Sequence, residues 1–102
     1  AGRPDGAYRL GPLDVDVVDS VARIRSTGAI AGSTLTLDRA VRFAIQEVGI
    51  DPADAVRAAS QTPADLLGRP DLGRIQAGAR ADLVVLGDDR TVERVIRGGV
   101  DL

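Results

Sequence analysis

The apolar residues of this chain change their spacing twice, and no single type of secondary structure accommodates both spacings. Leu13, Val15 and Val17 alternate with Asp14 and Asp16, the period of two that marks a half-solvated strand. From Thr34 the interval lengthens. Leu37, Val41, Ala44, Ile45 and Val48 fall on one stripe of an α-helix. The segment Asp82-Leu83-Val84-Val85-Leu86 then reads as a buried strand. The order is therefore β, then α, then β, within 102 residues, enough for one small domain with a modest core.

Turn and capping residues set the boundaries. Residues 1–6 read as loop, and Tyr8-Arg9-Leu10 and Gly11-Pro12 lead into the first alternating strand. Asp19-Ser20 is a turn from which residues 21–25 return, so the amino-terminal part is expected to be a β-hairpin or a three-stranded meander. Ser26-Thr27-Gly28 leads to Ile30-Ala31-Gly32-Ser33, read as a glycine-hinged loop running directly into the first helix. Gly49 stands where a helix C-cap is expected. A second helix opens at Asp51-Pro52-Ala53-Asp54, with a capping carboxylate and proline in the first turn, and runs to about Ala59. Thr62-Pro63-Ala64-Asp65 repeats that opening for a short third helix ending at Gly68. Beyond the turn between Gly73 and Gly78, strands are expected over residues 82–86 and 91–97, with a short last strand over 100–102 after Gly98-Gly99.

Composition excludes several functions. Tyr8 and Phe43 are the only aromatic residues, too few to stack the bases of a single strand. All 13 basic residues are arginines, scattered along a chain of net charge −2, which argues against a polyanion and so against a nucleic-acid partner. No apolar stretch approaches membrane-spanning length, and the absence of cysteine fits a reducing cytoplasm. The start at Ala1 without methionine reads as the interior of a longer chain.

There is no histidine and no cysteine, so the usual metal ligands and most nucleophile–base pairs are missing. The carboxylates have structural explanations. Asp14 and Asp16 share a strand face, Asp88-Asp89 form a turn, and Asp51, Asp54 and Asp65 are helix-start charges. Asp82 is placed to anchor the turn at Gly78. No residue qualifies as a catalytic acid, base, nucleophile or metal ligand.

The segment Gly73-Arg74-Ile75, then Gly78 and Ala81-Asp82-Leu83-Val84-Val85-Leu86, resembles the carboxy-terminal β-portion of the amidohydrolase superfamily. Three further stretches look like those of the N-acetylglucosamine-6-phosphate deacetylase family, in the same order. They are Pro4-Asp5-Gly6-Ala7-Tyr8-Arg9-Leu10-Gly11, Ala31-Gly32-Ser33-Thr34-Leu35-Thr36-Leu37 with Ala40-Val41-Arg42, and Ala58-Ala59-Ser60-Gln61-Thr62-Pro63-Ala64. The sequence departs from the family at Asp19-Ser20, where a glycine is common, and at Arg25-Ser26-Thr27-Gly28, where an Asp-Gly-type turn is usual.

The resemblance implies an α+β piece, a β-hairpin followed by three helices and a carboxy-terminal β-hairpin, cut from a (β/α)8-barrel enzyme just after its catalytic aspartate. Residues 1–68 would be the end of the barrel domain and 69–102 strands of its small β-sandwich domain. A barrel needs roughly 250 residues, so this chain does not contain one. The implied activity is metal-dependent hydrolysis of N-acetylglucosamine 6-phosphate to glucosamine 6-phosphate and acetate. The divalent metal, zinc or similar, would be bound by residues absent from this chain, which alone would be inactive. By resemblance Ile30, Ala31, Gly32 and Ser33 form the loop over the sugar phosphate; read from the residues alone, Gly32-Ser33 is a helix N-cap. The implied partners are the amino sugar phosphate and either a second copy in a homodimer or the missing barrel portion. The alternative is a non-catalytic structural or oligomerisation module from a split or truncated amidohydrolase gene.

Overall fold

The computed structural model describes residues 1–102 and divides into two compact units, Ala1–Thr36 and Leu37–Leu102. In the first unit, strands β1 (Gly6–Leu10), β2 (Leu13–Val18), β3 (Val21–Ile24) and β4 (Ile30–Ser33) form one antiparallel sheet in sequence order. The register sets Tyr8 opposite Val15 and Val17 opposite Ala22, so the alternation read in β2 delivers its valines to one face. Val15, Val17 and Ala22 are buried there, with Tyr8 and Ala31 packed against them. The expected hairpin or three-stranded meander is thus corrected to four strands. The added strand is Ile30–Ser33, expected as loop. Its Ala-Gly-Ser composition has low intrinsic strand preference, and pairing with β3 supplies what the side chains do not.

Two-residue turns connect the first three strands. Asp19 and Ser20 both have positive φ, 49° and 63°, as a type I′ hairpin turn requires. Neither is glycine, and Asp5 offsets the strain. Its carboxylate accepts the Asp19 N–H at 2.8 Å and the Ser20 N–H at 3.0 Å. The departure from the family's glycine is therefore held by an acid fourteen residues upstream.

The second unit carries α1 (Leu37–Gln46), α2 (Pro52–Ala59) and α3 (Gln61–Leu66), then an antiparallel sheet of β5 (Leu83–Leu86), β6 (Val92–Arg97) and β7 (Val100–Asp101). The second helix begins as read: Asp51 accepts the Ala53 N–H at 2.9 Å and Pro52 occupies the first turn. The expectation of three independent helices is corrected. Residues 52–66 form one helical run broken only at Ser60, so there are two helical segments, the second interrupted. Pro63 explains the break, since it has no N–H for the Ala59 carbonyl and its ring would clash there. The Ser60 hydroxyl instead donates to the Val56 carbonyl at 2.6 Å. Thr62 does not cap α3; Ser60 holds that position without a side-chain capping bond.

The three carboxy-terminal strands form in the expected order, but the first of them, expected to be buried, is not. Leu83 is half-buried while Val84, Val85 and Leu86 are exposed, and only Ala55 and Ala64 are buried in this unit. Asp82 anchors the Gly98-Gly99 turn rather than Gly78: it accepts the Gly98 N–H at 2.7 Å and pairs with Arg80 at 3.1 Å.

Gly73 lies against the Ser60 break. It has φ +71°, and a Cβ there would lie 2.6 Å from the Ser60 carbonyl oxygen and 2.8 Å from the Gln61 Cα. Both obstacles are backbone, so neither yields cheaply. Gly73→Ala is expected to cost more than the roughly 1–3 kcal/mol of its left-handed conformation alone. Thermal unfolding measures it, and an unchanged midpoint would show that the 73–75 segment is free to leave the helix junction.

Candidate functional site

The four residues expected to lie over a ligand are brought together on β4, the last strand of its sheet. As an edge strand it presents alternate N–H and C=O groups outward, so it offers sheet-edge amides rather than the helix-start amides expected. Ile30 is 69% exposed, whereas Ala31 packs on the Val15–Val17 core. Gly32 has φ +145°, and a Cβ built there meets nothing within 4 Å. A side chain therefore has space at this position, but the backbone conformation disfavours it. The contrast with Gly73 is one of cause: conformation alone here, conformation and contact there.

Ser33 is not the cap of α1, which starts at Leu37. Its hydroxyl accepts the Leu35 N–H at 3.0 Å, a local turn that ends the strand. The next residue ties the strand end back to its own sheet. The Thr34 hydroxyl donates to the Ser20 carbonyl at 2.5 Å, and the Thr34 carbonyl accepts the Gly2 N–H at 2.8 Å. The strand character of this segment carried one sequence signal, its position after two hairpin returns of similar length. No alternation accompanied it.

The remaining polar groups are largely occupied. Arg25 donates to both carboxylate oxygens of Asp16, Nε at 2.9 Å and Nη2 at 2.7 Å, and this hydrogen bonding holds the Asp16 carboxyl below its ordinary value. Arg69 does the same for Asp71. Asp89 is lowered chiefly by the Thr91 hydroxyl, at 2.6 Å, and the Thr91 N–H. No three acidic side chains converge as a metal would need, and there is no histidine or cysteine to join them. The residues present do not fit a divalent metal site.

One groove of about 740 Å³ opens in the second unit, lined by α1, α2, the start of α3, the 73–75 segment, β5 and the start of β6. Its walls carry the aliphatic Leu37, Val41, Val56, Leu83, Val85 and Val92, together with the charged Asp38, Arg57, Arg74 and Asp82. None of Ile30, Ala31, Gly32 or Ser33 lines it.

Comparison with known proteins fixes the family. Residues 15–101 match the model described as the amidohydrolase family. The chain belongs to that family. It is 41% identical over 96 residues to the N-acetylgalactosamine-6-phosphate deacetylase of Escherichia coli O157:H7, covering 93% of this chain and 25% of that protein. A protein of Escherichia coli (strain K12) that carries the same enzyme name matches at 41% over 96 residues, covering 93% of this chain and 57% of that one. Among solved structures, the N-acetyl-D-glucosamine-6-phosphate deacetylase of Mycobacterium smegmatis, an alanine variant in complex with N-acetyl-D-glucosamine-6-phosphate, superposes with a TM-score of 0.83. It is 48% identical over 98% of this chain and 27% of its own. The chain thus spans between 16% and 57% of the length of the curated relatives it matches. No helix is long and apolar enough to cross a membrane.

The Asp16–Arg25 pair yields a titration test. A carboxyl whose folded value lies below the unfolded value of about 3.9 contributes stability above that pH and loses it as pH falls through the folded value. In Arg25→Gln the Asp16 midpoint is expected to rise toward that ordinary value, read by carboxyl NMR. An unmoved midpoint would place the cause elsewhere.

Proposed function

We propose that this chain is the carboxy-terminal part of an enzyme that hydrolyses N-acetylglucosamine 6-phosphate, releasing acetate and glucosamine 6-phosphate. The observation that carries this is the likeness to a deacetylase solved with that sugar phosphate, which extends over 98% of the chain at 48% identity. Residues 1–68 then close the barrel domain and residues 69–102 supply strands of the small β-sandwich domain. The enzyme works in the cytoplasm.

Hydrolysis adds water across the acetamide C–N bond: hydroxyl joins the acyl carbon and the proton goes to the departing amine. Activating that water is general-base or metal chemistry. This chain has no histidine or cysteine, and Asp5, Asp16, Asp51, Asp71, Asp82 and Asp89 are committed to turns, caps or arginines. The divalent metal implied by the family is accordingly held by residues outside it. What the chain contributes is position. The edge amides of Ile30–Ser33 lie over the sugar phosphate, and the strained Gly32 backbone lets them approach it without an intervening Cβ.

A second reading has one observation in its favour. The same 96-residue match takes up 57% of the strain K12 relative but 25% of the O157:H7 relative, so one is less than half as long as the other. Short chains carrying this segment therefore occur, and a non-catalytic module is the reading they favour.

Acetate release from N-acetylglucosamine 6-phosphate separates the two. The full-length enzyme is expected to turn over and the 102-residue chain not to; turnover by the chain alone would overturn the division of labour. In the full-length enzyme, Gly32→Val is expected to lower kcat/KM about tenfold or more, because strain on the order of 1–3 kcal/mol falls on substrate contacts. Ser33→Ala is expected to change KM or kcat if the hydroxyl touches substrate. Wild-type kinetics in both, at equal folded fraction, would remove β4 from the site.

A further inference from the structure

A set of hydrogen bonds in the first unit joins residues 2–5 and Thr34 to the turn between β2 and β3. Asp5 accepts the N–H groups of Asp19 and Ser20, at 2.8 and 3.0 Å. The Ser20 carbonyl accepts the Thr34 hydroxyl at 2.5 Å, and the Thr34 carbonyl accepts the Gly2 N–H at 2.8 Å. Between these links the Tyr8 hydroxyl donates to the Pro4 carbonyl at 2.8 Å, and the Arg3 guanidinium lies over the Tyr8 ring. The side-chain bonds are exposed, so each replaces one that water would make and adds little net stability. What they fix is geometry.

We propose that Asp5 and Thr34 are positioning residues for the deacetylation: acting through the Asp19-Ser20 turn, they set where the edge amides of Ile30–Ser33 stand. The inference rests on reading β4 as the substrate edge. That strand needs an outside reference. Its register with β3 shifts at Ala22/Arg23, Gly32 stands at φ +145° with nothing near its missing Cβ, and of its four residues Ala31 alone packs on the core. Past Gly32 no packed side chain of β4 stops the strand end from moving. Thr34 supplies that stop two residues beyond Gly32, by referring its hydroxyl to the β2–β3 turn. The turn is itself strained, with non-glycine residues at φ 49° and 63°, and Asp5 offsets the strain by taking both of its N–H groups. Thr34, the turn and Asp5 therefore form one relay. Both end side chains are engaged within their own sheet, so their effect reaches the substrate only through the β4 backbone.

The test measures acetate release from N-acetylglucosamine 6-phosphate by the full-length enzyme, at equal folded fraction. Thr34→Val keeps the shape of the side chain and loses its hydroxyl. It is expected to lower kcat/KM about threefold or more, and Thr34→Ser to restore it. Asp5→Ala is expected to lower kcat/KM in the same way. Adding Asp19→Gly and Ser20→Gly to Asp5→Ala should recover most of that loss, because glycine adopts the turn without a clamp. In a Gly32→Val background Thr34→Val should cost a smaller factor than it does alone, since the edge is already displaced. Asp51→Ala, which uncaps α2 in the other unit, is the control for lost stability: it lowers the thermal midpoint and leaves kcat/KM unchanged. Thr34→Val and Asp5→Ala break the relay at different bonds, so either one decides where the other does not fold. The inference is overturned, with the β4 reading intact, by variants that lower the thermal midpoint and spare kcat/KM while Gly32→Val still reduces it. Losses that the turn glycines do not recover, or that simply multiply with that of Gly32→Val, overturn it too, because the two residues then act elsewhere. Wild-type kinetics in Gly32→Val removes β4 from the site and this inference with it.

Discussion

The sequence specifies more apolar surface than its own length can bury. Only Val15, Val17, Ala22, Ala55 and Ala64 are buried, while 21 large apolar side chains are exposed. Scattered exposed leucines are ordinary in any protein. Here they are not scattered. They include Leu37, Phe43 and Val48 on or just beyond α1 and the consecutive Val84, Val85 and Leu86 on β5. An apolar run that serves both faces of a strand describes a strand covered on both faces. Within its own unit β5 has no such cover. The matched segment is 25% of one relative and 27% of another.

With so small a core, local polar interactions fix the individual elements. Three carboxylates do the same work in three places. Asp5 accepts the N–H groups of the Asp19-Ser20 turn, Asp51 that of Ala53 at the start of α2, and Asp82 that of Gly98 between β6 and β7. Each satisfies a backbone donor that a turn or helix start leaves unpaired.

What could be read in the sequence follows from where its information is local. The start of α2 was legible at Asp51-Pro52 because a cap and a first-turn proline act within three residues. The Asp19-Ser20 and Gly98-Gly99 turns were legible for the same reason. The start of α3 was misread at Thr62 because the grammar repeats there, although the chain is already helical up to Ala59. Pro63 then acts as a breaker of that run and not as the opening of a new helix. β4 was missed because Ile30-Ala31-Gly32-Ser33 has no alternation; its strand state comes from β3, a long-range partner invisible to periodicity. The anchor at Asp82 was right in kind and wrong in target, since Gly98 lies sixteen residues away. The resemblance to deacetylases could be read from four stretches together. The placement of Ile30, Ala31, Gly32 and Ser33 on one strand could not.

That placement changes the kind of site these residues can make. Amides at a helix start point along one axis and act with its dipole, which favours a concentrated negative charge. Amides along a sheet edge are spaced and alternate with carbonyls, so such an edge presents donors and acceptors in turn. The edge at Ile30–Ser33 is held from its own sheet, through the register with β3 and the Thr34 links to Ser20 and Gly2. Gly32 then has a specific task. Pairing of Ala22 with Gly32 continues the ladder through a backbone conformation closed to most side chains, and a bulge follows at Ala22/Arg23. The sheet tolerates it because Val15, Val17 and Ala22, packed beneath Tyr8 and Ala31, hold the neighbouring strands in place.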